Sequence, residues 1–249
     1  MLMKLSFNAK TIAVYSVSKK TGKSAVSREL SGFYQIAGKK TLLVDFTLGK
    51  SNIMEYMPGA YAEDLSVWVE GIKRKLKKLP WPQIEYGREE VSRYIFTDGT
   101  GLGILSCGAI EKPESMLEVT GVILRSLAES PYDVIVFDLE SGVRDYIIRV
   151  LESVDTVLLV TDTFRYDVLE ARETIERLKA ANCRTDHFKL LFNKKPAFLE
   201  ETPLQVAGEL NLPLAGALPD YPDIKERLQY NLDRITEYSQ AMAALIEKL

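Results

Sequence analysis

Short unbroken apolar runs alternate along this chain with longer stretches whose apolar residues recur every three or four positions. The run "TIAVYSV" (11–17) is apolar and β-branched, the pattern of a strand buried on both faces. From Ala25 to Ala37 the positions Val26, Leu30, Phe33 and Ile36 share a helical face, and Gly38 follows as a C-terminal cap. "KTLLVDF" (40–46) is a second buried strand and carries Asp45 near its end. A strand, a helix and a strand within so few residues predict a parallel pair with a right-handed crossover. The alternation continues with strands at 101–107, 132–138, 155–162, 188–194 and 213–219. Helices are predicted around 114–129, from Val168 to Ala181 and from 231 to 249. The expected fold is α/β: a single doubly wound, mostly parallel sheet with helices on both faces, spanning 1–249 as one domain.

One region departs from the alternation. Between 54 and 98, Leu65, Trp68, Ile72, Leu76 and Leu79 keep helical spacing, and Lys73, Arg74, Lys75, Lys77 and Lys78 spread over the rest of the same segment. Pro80 and Pro82 end it. A basic amphipathic helix of this kind can be a solvated surface helix, a contact for an acidic protein or nucleic acid, or a membrane-surface helix. Trp68 and Trp81 flank the basic run instead of alternating with it, which weakens a single-stranded nucleic-acid reading.

Composition narrows the classes. The chain has 249 residues, 46% hydrophobic and 27% charged, with a net charge of −3, ordinary for a globular protein and unlike one whose whole surface is adapted to nucleic acid. Cys107 and Cys183 lack metal-ligand spacing and read as reduced, buried residues, while the single histidine, His187, disfavours histidine metal sites and triads. The N-terminus is too short and polar for a signal peptide and no apolar run approaches a membrane span, so a cytoplasmic protein is expected.

The chemistry gathers after the first strand. "YSVSKKTGKS" (15–24) ends in Gly22, Lys23 and Ser24, between a predicted strand and a predicted helix. Amides at a helix N-terminus point at an anion, Lys23 can neutralise β- and γ-phosphates, and the Ser24 hydroxyl can ligate Mg²⁺. The alternative is a surface turn in which Ser24 caps the helix. Asp45 and Asp138 end strands that open on the same edge of such a sheet, where ligands bind. Asp138 can hold Mg²⁺ directly or through water, and Gly142, four residues on, can approach a γ-phosphate with its amide. "DGTGLG" (98–103) precedes a strand and reads as a turn, not a dinucleotide fingerprint.

This ordered set resembles the MinD/ParA family of deviant Walker A ATPases over nearly the whole chain. Residues 12–53 resemble the family's opening βαβ unit, 132–180 its switch II strand and following unit, and "LLFNKK" with "LPLAGALPDYPDIKERLQYN" its adenine-side strands and terminal region. The resemblance implies ATP and Mg²⁺ as cofactors and an ATP-dependent homodimer that positions a septum, plasmid, flagellum or pilus machine. It places Lys19, Lys20, Thr21, Gly22, Lys23, Ser24 and Ala25 around the phosphates, Ser24, Asp45 and Asp138 around the metal, Lys23 and Asp138 as the catalytic pair, and Gly142 at the γ-phosphate. It also implies that Asn193 contacts adenine, together with backbone near Pro219 and Asp220.

Two departures shape the expected activity. The family loop reads Lys-Gly-Gly-x-Gly-Lys-Thr/Ser, and here Ser18 takes the place of the lysine that crosses to the partner subunit, with Lys19 and Lys20 in place of the two glycines. After the second strand the family carries Asp-x-Asp, and here the later carboxylate is Thr47, which cannot accept a proton near neutral pH. Loss of a positioned base removes about 10²–10⁴ of rate, so slow or absent hydrolysis is expected. The loop most resembles the CpaE/TadZ-like pilus-assembly branch. The family's basic amphipathic membrane-targeting tail has no counterpart in "ITEYSQAMAALIEKL". Two other readings stand beside the switch: a scaffold that keeps the fold without turnover, and a metallocentre-insertion ATPase, disfavoured because no cysteine pair is available.

Overall fold

The computed structural model describes residues 5–47, 53, 63–110, 116–162, 165–195, 202–220 and 236–249. The apolar runs become strands β1 (Lys10–Tyr15), β2 (Thr41–Phe46), β4 (Gly103–Leu105), β5 (Val134–Leu139), β6 (Thr156–Thr161), β7 (Phe188–Lys195) and β8 (Leu214–Pro219), with a two-residue β3 (Phe96–Thr97) before β4. They form one eight-stranded sheet in the order β3-β4-β2-β5-β1-β6-β7-β8. Every pairing is parallel except β3 with β4. That hairpin closes on the predicted turn: Asp98 Oδ1 accepts from the Thr100 amide at 2.8 Å and the Leu102 amide at 3.1 Å, and Gly101 takes φ +88°.

All residues of β2, β5 and β6 are buried, as their continuous apolar runs require. Helices α1 (Lys23–Ile36), α2 (Leu65–Leu76), α3 (Arg88–Ser92), α4 (Met116–Ala128), α5 (Asp145–Ser153), α6 (Arg165–Ala180), α7 (Pro203–Leu210) and α8 (Glu237–Glu247) lie between and beside them. Alternate residues of one strand feed two cores. Ile12 and Val14 of β1 join Val26 and Leu30 of α1 and Met242 and Leu245 of α8 on one face. Ala13 and Tyr15 join Trp68, Ile123, Ile147 and Ala171 of α2, α4, α5 and α6 on the other. No described helix is long and apolar enough to cross a membrane.

The ends of elements show where the sequence pattern misleads. Gly38 caps α1 as expected: it takes φ +79° while the Lys39 amide bonds Tyr34 O at 3.0 Å and its own amide bonds Gln35 O at 3.1 Å. Ile36, placed on the apolar face by its spacing, is 50% exposed in the last turn of that helix. The α2 segment stops at Leu76 rather than Leu79, because Pro80 disfavours the helical conformation for the residue before it. Leu79 therefore leaves the buried stripe and is 43% exposed, and Pro82 enters a 3₁₀ turn, Trp81–Gln83. The closing helix occupies Glu237–Glu247, and the earlier part of the segment predicted for it, 231–235, lies outside the described residues.

Candidate functional site

Strand β1 lies between β5 and β6, and the chain leaves its C-terminal end through residues 16–22 to enter α1. This is the edge of a doubly wound sheet at which ligands bind. The loop is held internally by hydroxyls: Thr21 Oγ1 donates to Ser16 Oγ at 2.9 Å, which donates to Ser18 O at 2.6 Å. Lys20 takes φ +68° and Gly22 φ +88°. Of the two lysines in glycine positions, only Lys20 adopts the left-handed backbone, at a cost of about 1–2 kcal/mol for a residue with a Cβ.

Strand β7 braces this turn from outside. Asn193 Nδ2 donates to Thr21 O at 2.7 Å, and Lys194 Nζ donates to Lys20 O, also at 2.7 Å. A trans peptide points its N–H opposite to its C=O, so the amides of Thr21 and Gly22 face away from β7. Gly22 is required twice over. Its φ is left-handed, and a Cβ there would stand 2.3 Å from Asn193 Nδ2. Helix α1 then begins without a side-chain cap, and its first backbone bond, Val26 N to Gly22 O at 3.0 Å, leaves the amides of Lys23, Ser24 and Ala25 without helical partners. Such an end is built to receive an anion.

Beside it stands a buried acidic wall. Asp45 and Asp138 are register partners on β2 and β5, and both are fully buried. Asp138 Oδ1 accepts from Ser27 Oγ at 3.0 Å, while Oδ2 has no hydrogen-bond partner among the described residues. Burial pushes the Asp138 carboxyl above its ordinary pKa, opposed by the Ser24 hydroxyl, the Lys23 ammonium and the Ser27 hydroxyl. A buried carboxylate oxygen without a donor is costly unless a cation meets it. Lys23 Nζ is held at 2.9 Å from Ser141 Oγ and 3.4 Å from Ser18 O. Burial lowers its pKa, and the charges of Asp138 and Glu140 act against that.

Asp45 is occupied differently. Its Oδ1 accepts from the Thr47 amide at 3.0 Å and also from the Thr47 hydroxyl, so Thr47 is tied to the acid beneath it. Gly142 takes φ +109° and faces open space, and its carbonyl accepts from Tyr15 Oη at 3.1 Å. Lys19 and Lys20 are exposed on the loop, and Ala25 lies in the first turn of α1. Pro219 ends β8 in register with Lys195 of β7, and Asp220 follows it, exposed. Asn193, Pro219 and Asp220 thus share the sheet edge with the loop, and the Asn193 amide is engaged with loop backbone.

The expected phosphate and metal residues converge, and four others join them that the sequence does not single out. Ser27 reaches Asp138, Ser141 holds the Lys23 ammonium, Lys194 braces Lys20, and Glu170 of α6 accepts from the Ser18 hydroxyl. Only Ser27 carried a signal, a hydroxyl one helical turn after Lys23 on the face that meets the sheet. Among the described residues no group of three or more His, Cys, Asp or Glu side chains could hold a metal unaided. The buried orphan oxygen of Asp138, the ammonium of Lys23 and the uncapped helix start fit a Mg²⁺–polyphosphate.

No protein-family model matches the chain, and no curated protein matches it in sequence. Solved structures do match it. The cell division ATPase MinD of Pyrococcus furiosus is similar at a TM-score of 0.75 and 18% identity, over 96% of this chain and 98% of that one. The MinD of Pyrococcus horikoshii complexed with Mg-ADP gives a TM-score of 0.73 at 19% identity, over 96% and 95%. A ParA family ATPase from Chlorobium tepidum gives 0.74 at 14% identity, over 96% and 97%. The chain has the fold of the MinD and ParA ATPases.

Proposed function

We propose that this chain is an ATP- and Mg²⁺-binding protein of the MinD/ParA type, acting in the cytoplasm as a nucleotide-dependent dimeric switch in spatial positioning, with weak or absent hydrolysis. The observation that carries this reading is the Asp138 oxygen, buried and without a hydrogen-bond partner among the described residues, close to Lys23 and Ser24 at an uncapped helix start. The solved structures of this fold include MinD with Mg-ADP and a plasmid partition protein from Borrelia burgdorferi bound to AMPPNP, which supports the choice of ligand.

Each residue has a defined task in this reading. Lys23 exchanges its contacts with Ser18 and Ser141 for phosphate oxygens. Ser24 and Asp138 would hold the metal and Asp45 would support its waters, and Mg²⁺ held there would supply charge neutralisation to the phosphates. The exposed Lys19 and Lys20 would be the loop cations offered to a partner subunit's phosphates. Thr47 cannot take a proton from water, and its hydroxyl already donates to Asp45. Slow turnover follows.

Thermal denaturation with and without MgATP tests binding, since ligand at 100 times its Kd adds about 2.7 kcal/mol. Light scattering in the same solutions tests the switch: a doubled mass with MgATP is expected, and a fixed mass overturns it. A scaffold that only retains the fold is the second reading. The self-satisfied loop, with Lys23 bound to Ser18 and Ser141, favours it. An unchanged melting temperature in MgATP would establish it.

A further inference from the structure

The basic segment at the end of α2 holds a feature unrelated to nucleotide. Of its five cations, three are engaged at home. Lys73 Nζ pairs with Glu70 at 2.9 Å, Arg74 Nε donates to Glu70 O at 3.3 Å, and Lys75 Nζ lies 3.7 Å over the Tyr86 ring. Those three also occupy the last turn of α2, where cations complement the helix dipole. Lys77 and Lys78 lie beyond it and have no anionic partner among the described residues. Both line a surface groove of about 550 Å³ between the end of α2 and the start of α4.

The groove has an apolar wall and a fixed floor. Leu79 is 43% exposed, and Leu76 and Trp81 pack partly against the core. Two guanidinium groups lie over the Trp81 indole, Arg125 at 5.6 Å and Arg149 at 5.8 Å from its centroid. The indole rests on Gly121, where a Cβ would stand 3.2 Å from its ring. Arg125 also donates to Pro82 O at 2.9 Å, to Trp81 O at 3.1 Å and to Ile84 O, so the wall is pinned by its own backbone. A site shaped before its ligand arrives loses little to ordering on binding.

We propose that this groove docks an acidic segment of a partner protein, with one aliphatic or aromatic side chain on Trp81 and Leu79 and acidic side chains paired with Lys77 and Lys78. Charge complementarity selects the occupant. Glu118 lines the opposite side of the groove. A phosphate polymer would meet that carboxylate with nothing to offset it, whereas a polypeptide offers backbone N–H groups to it. A bilayer is a poor fit for a different reason. The apolar stripe of α2, Leu65, Trp68, Val69 and Ile72, is buried in the core, which leaves no broad apolar face to insert.

The test pans a random peptide phage library on the full chain and measures binding of fluorescein-labelled synthetic copies of the enriched peptides. Enriched sequences are expected to set Asp or Glu beside Leu, Phe or Trp. The double variant Lys77→Glu/Lys78→Glu is expected to weaken them by about tenfold or more. Leu79→Ser should weaken them as well. All three positions are exposed, so each variant should still unfold in one cooperative transition. The charge reversal should lower the melting temperature only by the small loss of helix-dipole complementation at the end of α2. Leu79→Ser, which keeps both lysines, separates lost binding from lost stability. The proposal is overturned if no peptide is enriched, if the enriched peptides lack acidic residues, or if charge reversal leaves their binding unchanged. It is equally overturned if charge reversal instead abolishes binding to short duplex DNA or to phosphatidylglycerol vesicles while peptide binding persists.

Discussion

Asp138 illustrates how one side chain can weaken a fold while equipping a site. Its burial is opposed by Ser24, Lys23 and Ser27, yet one oxygen remains without a donor among the described residues. Asp138→Asn is therefore expected to leave the nucleotide-free melting temperature equal to wild type or higher, and to abolish the further rise produced by MgATP. A fall of several degrees without nucleotide would show that the carboxylate serves stability instead. Thr47 makes the complementary case. Because its hydroxyl and amide both donate to Asp45, Thr47→Asp sets a second carboxylate against a buried one. Comparison with the family suggests that this change restores a base, but the contact predicts a lower melting temperature and no large gain in phosphate release. The thiols give a third test. Burial pushes Cys183 up to about 12 and Cys107 higher still, so iodoacetamide at neutral pH should label neither until the protein unfolds. At this scale much of the arrangement was legible, since Gly22, Lys23, Ser24 and the two strand-end acids stand in the order that a doubly wound sheet brings to one edge. Ser141, Lys194 and Glu170 were not, because their roles arise only when distant segments meet.

Elements were legible in proportion to their burial. Strands β2, β5 and β6 are covered on both faces, so their sequences carry no polar interruption and could not be mistaken for loops. Helices α3 and α7 were missed because five and eight residues carry too little periodicity to register. The start of α7 nevertheless had a local mark. Thr202 accepts from the Gln205 amide at 3.3 Å, and Gln205 Oε1 accepts from the Thr202 amide at 2.8 Å, a capping box with Pro203 at the first helical position. Thr202→Ala should cost about 1 kcal/mol in chemical denaturation. The end of α2 was misplaced for a reason of the same kind: its periodicity runs on to Leu79, but Pro80 acts before the periodicity stops.

At the scale of the whole molecule, the sheet order explains how the altered loop is held in place. Strand β1 delivers the loop between β5, which carries Asp138, and β6, whose neighbour β7 carries Asn193 and Lys194. The loop is therefore held from the β7 side by two bonds to its carbonyls, which offsets the loss of glycine at position 20. On the proposed function, binding and subunit pairing fall on different residues: Lys23 and the α1 amides would meet the phosphates, while Lys19 is exposed on the loop. Lys19→Ala is accordingly expected to preserve most of the stabilisation by MgATP and to reduce the fraction of doubled mass seen by light scattering. Lys23→Ala should abolish both. Were Lys19→Ala to remove the stabilisation while the mass stayed responsive to nucleotide, the division of labour would be reversed: the inner lysine would be structural and the outer pair would hold the phosphates.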